Sequence, residues 1–130
     1  MDSFKIAEKF PVPASVMYQS WLDSEIHSDF TGAMAAIEER PDSFFTAWDG
    51  YITGRILKLD KDGLIAMSWR TTEFPAEAES STVELQITDL GDSCEINIYH
   101  YGIPEGDGDK YREGWKQFYL NPMRAYFALK

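Results

Sequence analysis

Apolar and polar positions alternate from the start of the chain. In residues 3–10, Phe4, Ile6, Glu8 and Phe10 share one face while Ser3, Lys5, Ala7 and Lys9 share the other. That period of two predicts a half-buried strand. Pro11-Val12-Pro13 ends it, and Pro13 suits the first turn of a helix, where its missing N–H needs no partner. Met17, Tyr18, Trp21 and Leu22 then recur at helical spacing and predict a short amphipathic helix. Asp23-Ser24-Glu25 offers acceptors for the start of a second short helix, which ends near Thr31-Gly32.

Short strands follow. Residues 35–39 and 44–48 are candidates separated by Arg40-Pro41-Asp42-Ser43. Asp49-Gly50 reads as a two-residue hairpin turn with positive φ at both positions, and Asp62-Gly63 as a second one between 51–59 and 64–69. After a polar loop at 73–80, Val83, Leu85 and Ile87 alternate with Thr82, Glu84, Gln86 and Thr88. Beyond the Gly91-Asp92 turn, Cys94, Ile96, Ile98 and His100 alternate with Glu95, Asn97, Tyr99 and Tyr101. With no helix-length segment between them, these strands are expected to pair antiparallel. The count is about seven strands.

From Asp107 the period becomes helical. Tyr111, Trp115, Phe118, Tyr119, Pro122, Met123, Tyr126 and Leu129 fall within an arc of about 140° on an ideal wheel. Asp107 and Asp109 at one end and Arg124 and Lys130 at the other complement the helix dipole. Pro122 removes a hydrogen bond and clashes with the carbonyl of Phe118, which predicts a kink. The expected class is α+β: a curved antiparallel sheet around a long C-terminal helix, with two short helices after the first strand.

The length of 130 residues fits a single domain, expected to span 1–130. With 44% hydrophobic and 26% charged residues the chain can bury a core and lies outside the disordered class. Its net charge of −10 argues against nucleic acid as a partner. The acidity belongs to the sheet and loops, whereas the segment from Asp107 is slightly basic. One cysteine, Cys94, excludes an internal disulfide and a cysteine-based zinc cluster, so a reducing compartment is expected. No membrane span or signal peptide is visible, and a cytoplasmic location is expected. The 15% aromatic share means rings that either fill a core or line a cavity.

Several strings resemble the Aha-type domain, the C-terminal domain of heat-shock-chaperone ATPase activators, within the START-like (SRPBCC, helix-grip) superfamily. They are Trp21-Leu22-Asp23-Ser24-Glu25-Ile26-His27-Ser28, Phe30-Thr31-Gly32 and Trp48-Asp49-Gly50-Tyr51-Ile52-Thr53-Gly54-Arg55. Trp69-Arg70-Thr71-Thr72, Phe74-Pro75, His100-Tyr101-Gly102-Ile103-Pro104 and Gly114-Trp115-Lys116 continue the series, with Tyr119, Pro122-Met123 and Tyr126-Phe127. They run in the family's order over nearly the whole chain. One departure bears on a local hairpin: relatives often carry a glycine pair where this chain has Pro41-Asp42-Ser43. The resemblance implies a curved sheet gripping the C-terminal helix, often with a cavity between them. It does not choose a function, because the superfamily includes lipid carriers, hormone receptors, cyclases, oxygenase domains and chaperone cofactors.

The residues expected to line such a cavity are Ile65, Met67, Trp69, Ile98, His100, Tyr111, Arg112, Trp115, Tyr119 and Met123. His100 is either a polar handle for a ligand oxygen or a structural histidine bonded at its strand end. The helix-grip order makes the first and last strands neighbours, which brings a Glu8–His100 pair into consideration. Cys94 and His100 lie six strand residues apart, about 20 Å, so they form no nucleophile pair; Cys94 reads as a small buried hydrophobe. His27 among Asp23, Glu25 and Asp29 reads as part of a solvated helix end rather than a metal site. Asp107-Gly108-Asp109 lacks the later positions of a calcium loop, and helix capping accounts for its acids. Arg112 stands at the edge of the apolar arc, either at a cavity mouth or snorkelling.

The expected function is a non-catalytic domain binding a hydrophobic or aromatic small molecule between sheet and helix, with no cofactor or metal. The alternative is a protein-interaction role with a chaperone partner. The resemblance implies that chaperone activators carry an additional N-terminal chaperone-binding domain, and with the first strand read from Ser3 that module is not expected in this sequence. A cyclase or hydrolase using Glu8, His100 or Arg112 ranks third, since no nucleophile–base spacing supports it.

Overall fold

Antiparallel pairing runs through every strand of the computed structural model, which describes residues 1–128. β1 (Asp2–Phe10), α1 (Ala14–Leu22) and α2 (Ser24–Thr31) come first. β2 (Phe44–Ala47), β3 (Ile52–Asp60), β4 (Leu64–Thr71), β5 (Ser81–Asp89) and β6 (Cys94–Ile103) follow. The helical stretch after them divides into α3 (Gly108–Trp115), a π-turn at Lys116–Leu120 and α4 (Asn121–Ala128). The strands form one sheet in the order β1-β6-β5-β4-β3-β2, so the first and last strands do pair. This is the helix-grip arrangement. Among the described residues, no helix is long and apolar enough to cross a membrane.

The sheet has six strands rather than seven. Residues 35–39 alternate as expected, with Ala35 and Ile37 buried, but they build no strand beyond a single bridge between Ala36 and Thr46. Their other backbone donors go elsewhere. Ala35 N–H donates to Ser28 Oγ at 2.9 Å and Ile37 N–H to Ser24 Oγ at 2.8 Å, which ties the segment to α2.

Two helices are capped from a distance. Ala14 N–H, at the start of α1, donates to Asp89 Oδ1 at 3.0 Å. The N–H groups of Gly106 and Gly108, at the entry to α3, both donate to Asp2 Oδ2. The expected cap from Asp107 is not made: its side chain bonds no backbone N–H there, and the carboxylate of Asp2 takes that place. α2 carries its own caps, Asp23 accepting from Ile26 N–H and Gly32 closing the end at φ 78°.

The hairpins depart from the two-residue pattern. Trp48, Asp49 and Gly50 all have positive φ, and pairing resumes only between Ala47 and Ile52. At the next turn Asp62 takes the positive φ while Gly63 does not. At Pro122 the strain is met by the π-turn just before it, in which Asn121 N–H reaches back to Lys116 O. The wider turn accommodates a proline ring that would press on the preceding turn of a regular α-helix. Leu129 and Lys130, counted at the sequence level in the apolar arc and the helix dipole, lie outside the described residues.

The core occupies the concave side of the sheet. Ile65 and Met67 of β4, Val83 and Leu85 of β5, and Ile96 and Ile98 of β6 are buried there, as are Trp115, Met123 and Phe127 of the terminal helical stretch. Glu8 faces the same way but lies opposite Ile96, whereas His100 lies opposite Phe4. The considered Glu8–His100 pair is therefore not formed; Glu8 pairs with Arg124 of α4.

Candidate functional site

Aromatic side chains dominate the space between the sheet and the terminal helical stretch. Trp69 of β4, Trp115 of α3 and Trp21 of α1 form a stack, with ring centroids 6.1 Å and 5.9 Å from Trp115. Tyr119 lies against Trp115 at 4.9 Å, and Tyr111 meets the edge of Trp69 at 5.3 Å. Where this stack meets the β2–β3 turn, a cleft of about 370 Å³ remains open. It is lined by Trp48, Tyr51, Ile52, Trp69, Glu73, Lys110, Tyr111, Gly114, Trp115, Phe118 and Tyr119. The volume falls in the lower range of small-molecule sites.

The polar ends of four lining rings are engaged with protein, whereas the buried indole N–H of Trp48 has no hydrogen-bond partner among the described residues. Tyr111 Oη bonds Thr71 Oγ1 at 2.7 Å, and Tyr119 Oη bonds His27 Nε2 at 2.9 Å. Trp115 Nε1 donates to His100 Nδ1 at 3.1 Å, and the Tyr51 hydroxyl donates to the carboxylate of Glu73. Burial, strengthened by that carboxylate, raises the pKa of Tyr51; burial alone raises that of Tyr119. Both phenols stay protonated at neutral pH. The wall thus presents ring faces and edges to a guest. At the rim Lys110 Nζ pairs with Glu73 Oε1 at 2.8 Å.

Four of the ten residues expected to form a cavity line this cleft: Trp69, Tyr111, Trp115 and Tyr119. Ile65, Met67, Ile98, His100 and Met123 are packed into the core instead, each no more than 2% exposed. Arg112 sits in a separate polar depression with Asp2, Ser3, Gly106, Gly108 and Asp109. Glu8, His100 and Arg112, the residues considered for acid–base chemistry, build no shared site. Glu8 belongs to an ion pair with Arg124, and His100 is sealed from solvent.

Both histidines are structural. Burial pushes the pKa of His100 down to about 3 and that of His27 down to about 4. His27 corrects the expectation of a solvated helix end: it is 1% exposed and bonds the carbonyl of Trp21 through Nδ1 at 2.9 Å. A carbonyl only accepts, so Nδ1 carries the proton and Nε2 accepts from the Tyr119 hydroxyl. Cys94 is fully buried, as a small hydrophobe would be, and burial pushes its thiol up to about 11. Among the described residues, no group of three or more His, Cys, Asp or Glu is placed to hold a metal ion.

Sequence reasoning did not reach Trp48, Tyr51, Ile52, Glu73, Lys110, Gly114 or Phe118 as lining residues. The signal for Trp48 and Tyr51 was present, since they bracket the Asp49-Gly50 turn. Trp48 adopts φ 53°, unfavourable for a bulky side chain, and this fixes its ring at the cleft. Phe118 was placed in the buried arc but is 52% exposed, with its ring edge-on to Trp48 at 5.5 Å. A π-turn holds more residues per turn than an α-helix, so a wheel of constant period misplaces residues within and beyond it.

The fold and motifs have known counterparts. The family model for the Activator of Hsp90 ATPase homolog 1-like protein matches residues 11–128. The activator of 90 kDa heat shock protein ATPase homolog 1 of Mus musculus is 29% identical over 123 residues. That match covers 95% of this chain and 36% of the mouse protein, so the chain spans about a third of the length of that relative. The crystal structure of PFC0360w, an HSP90 activator from Plasmodium falciparum, superposes with a TM-score of 0.87 at 21% identity, covering 97% of this chain and 96% of that one. CalU16 from Micromonospora echinospora superposes with a TM-score of 0.80 at 20% identity, covering 96% and 75%. With the family's pattern running through residues 11–128 and the sheet gripping its terminal helical stretch, the chain belongs to the Activator of Hsp90 ATPase homolog 1-like protein family.

Proposed function

We propose that this domain is a non-catalytic binding module that takes an apolar, ring-bearing small molecule into the cleft between the β2–β3 turn and the terminal helical stretch. The observation that carries this reading is a cleft of about 370 Å³ walled by Trp48, Trp69, Tyr111, Trp115 and Tyr119. Most of the wall's hydrogen-bonding groups are occupied by protein partners, so affinity would come from burying apolar area and stacking rings. Three of the lining residues, Trp69, Tyr111 and Trp115, are tryptophan or tyrosine from β4 and α3, elements fixed by the core, and Tyr119 follows in the π-turn, which keeps the wall preorganised.

The test is a titration with N-phenyl-1-naphthylamine, a neutral apolar dye that brightens on leaving water, beside native mass spectrometry of the freshly purified protein. Saturable binding of one dye per chain is expected, together with quenching of tryptophan emission. Absence of saturable binding overturns the reading.

A second reading is favoured by the family match: a chaperone-cofactor role through protein–protein contact. The chain covers 36% of the mouse relative, so that protein's activity is a proposal here and not a property carried over. Measuring the ATPase rate of a 90 kDa heat-shock chaperone with and without this protein decides it. Stimulation that saturates with added protein is expected on this reading, and an unchanged rate at saturating protein overturns it.

A further inference from the structure

The rim of the cleft carries information about the guest that its apolar wall does not. Three polar groups cluster there: the Tyr51 hydroxyl donates to Glu73, and Lys110 Nζ donates to the other carboxylate oxygen at 2.8 Å. The side chains of Lys110 and Glu73 are 45% and 50% exposed, so both can be reached from the cleft mouth and from solvent. The ammonium has three N–H donors and uses one on Glu73, while each carboxylate oxygen keeps a free lone pair. The hydrogen bonds from Lys110 and Tyr51 hold the Glu73 carboxyl below its usual range, which keeps it ionised near neutrality.

Such a rim has donors and acceptors side by side and no net charge. An anionic guest gains from Lys110 but meets the Glu73 carboxylate, and a cationic guest meets the opposite conflict. A neutral hydroxyl avoids both, because it accepts from Lys110 and donates to Glu73 at once. Its ring then lies against the wall formed by Trp69, Trp115 and Tyr119.

Building on the reading of the cleft as a small-molecule site, we propose that its guest is a neutral aromatic hydroxyl compound, a phenol, held by Lys110 and Glu73 at the rim. Selectivity against charged rings resides in the ion pair, and overall affinity resides in the aromatic wall. The two are separable by mutation.

The experiment measures binding of naphthalene, 2-naphthol, 2-naphthoate and 2-naphthylmethylammonium to the intact protein by calorimetry. 2-Naphthol is expected to bind about fivefold tighter than naphthalene, the scale of one charge-assisted hydrogen bond at a half-exposed site, and both ions no tighter than naphthalene. Glu73→Gln leaves Lys110 unpaired and should move the preference to 2-naphthoate. Lys110→Met leaves the carboxylate unpaired and should move it to the ammonium. Circular dichroism confirms that both variants are folded. If an ion binds the unaltered protein as tightly as 2-naphthol, or if neither substitution changes the order, the proposal is overturned while the cleft remains a binding site. If none of the four compounds binds, the small-molecule reading fails and this proposal fails with it.

Discussion

The indole Nε1 of Trp115 lies 3.1 Å from Nδ1 of His100, and it can only donate. Nδ1 must therefore be unprotonated, and the imidazole proton sits on Nε2, which donates to Ser81 Oγ at 2.8 Å. Ser81 passes its own proton to the carbonyl of Trp69 at 2.7 Å. One directed chain of hydrogen bonds thus joins α3 to β6, β5 and β4, through side chains no more than 2% exposed on Trp115, His100 and Ser81. Trp115→Phe keeps a ring in place but strands an acceptor on His100. A loss of about 1–3 kcal/mol is expected from the stranded acceptor, with a further contribution from the cavity left by the smaller ring. Urea unfolding reads it as a lower midpoint at unchanged slope. His100→Leu should cost less in the Trp115→Phe background than alone, and equal costs would show that the two side chains are not coupled.

Both histidines make stability depend on pH in the same direction. Their folded pKa values, about 4 for His27 and about 3 for His100, lie below the ordinary value of 6.5. The unfolded chain therefore binds protons first as pH falls, so the full contribution is present above pH 6.5. It is lost progressively below that, down to about pH 4 for His27 and about pH 3 for His100. Between pH 7 and pH 5 each histidine should remove about 2 kcal/mol of unfolding free energy. Glu73, whose pKa is lowered, also loses its contribution as pH falls, but below this window. Urea titrations at pH 7 and pH 5 check the sum, and replacing one histidine should halve the difference. A protein equally stable at both values would mean that the histidines reach water.

The inner row of β6, from Cys94 to His100, could be read directly from its alternation, and so could the pairing of β1 with β6 once the fold class was in view. Residues 35–39 misled because alternation reports burial and not where backbone donors go, and here two of them go to Ser24 and Ser28. His27 misled because acidic neighbours in sequence are not neighbours in space: its ring turns inward to Trp21 and Tyr119. The cleft rim was beyond reach for a related reason. Glu73 belongs to a polar loop and Lys110 to the polar side of a helix, 37 positions apart, and only docking of α3 against β4 brings them together.

Gly54 is the position where the sheet tolerates no side chain. A Cβ there would fall 1.9 Å from the carbonyl oxygen of Ser68 and 2.6 Å from Cε1 of Phe45. The first contact is with backbone fixed by β3–β4 pairing, so it has no inexpensive relief. Gly54→Ala should destabilise the domain by about 3 kcal/mol. A loss under 1 kcal/mol in urea unfolding would show that β3 shifts freely against β4. Because β2 and β3 carry the turn that holds Trp48, any surviving folded Gly54→Ala protein should also bind N-phenyl-1-naphthylamine more weakly.

Gly114 presents the opposite case. It lies inside α3 without a positive φ, and a Cβ would meet only Cδ2 of Phe118 at 3.9 Å, an ordinary contact. A glycine there costs helix stability relative to alanine, so Gly114→Ala should raise stability by about 0.5–1 kcal/mol. The residue also lines the cleft, and every atom added to it takes volume from the guest. Gly114→Leu should keep the fold while weakening dye binding at least about tenfold, the scale of losing one well-buried contact region. Stability and affinity are then expected to move in opposite directions along the series Gly, Ala, Leu. Parallel movement, or unchanged dye affinity in Gly114→Leu, would place the dye outside this cleft.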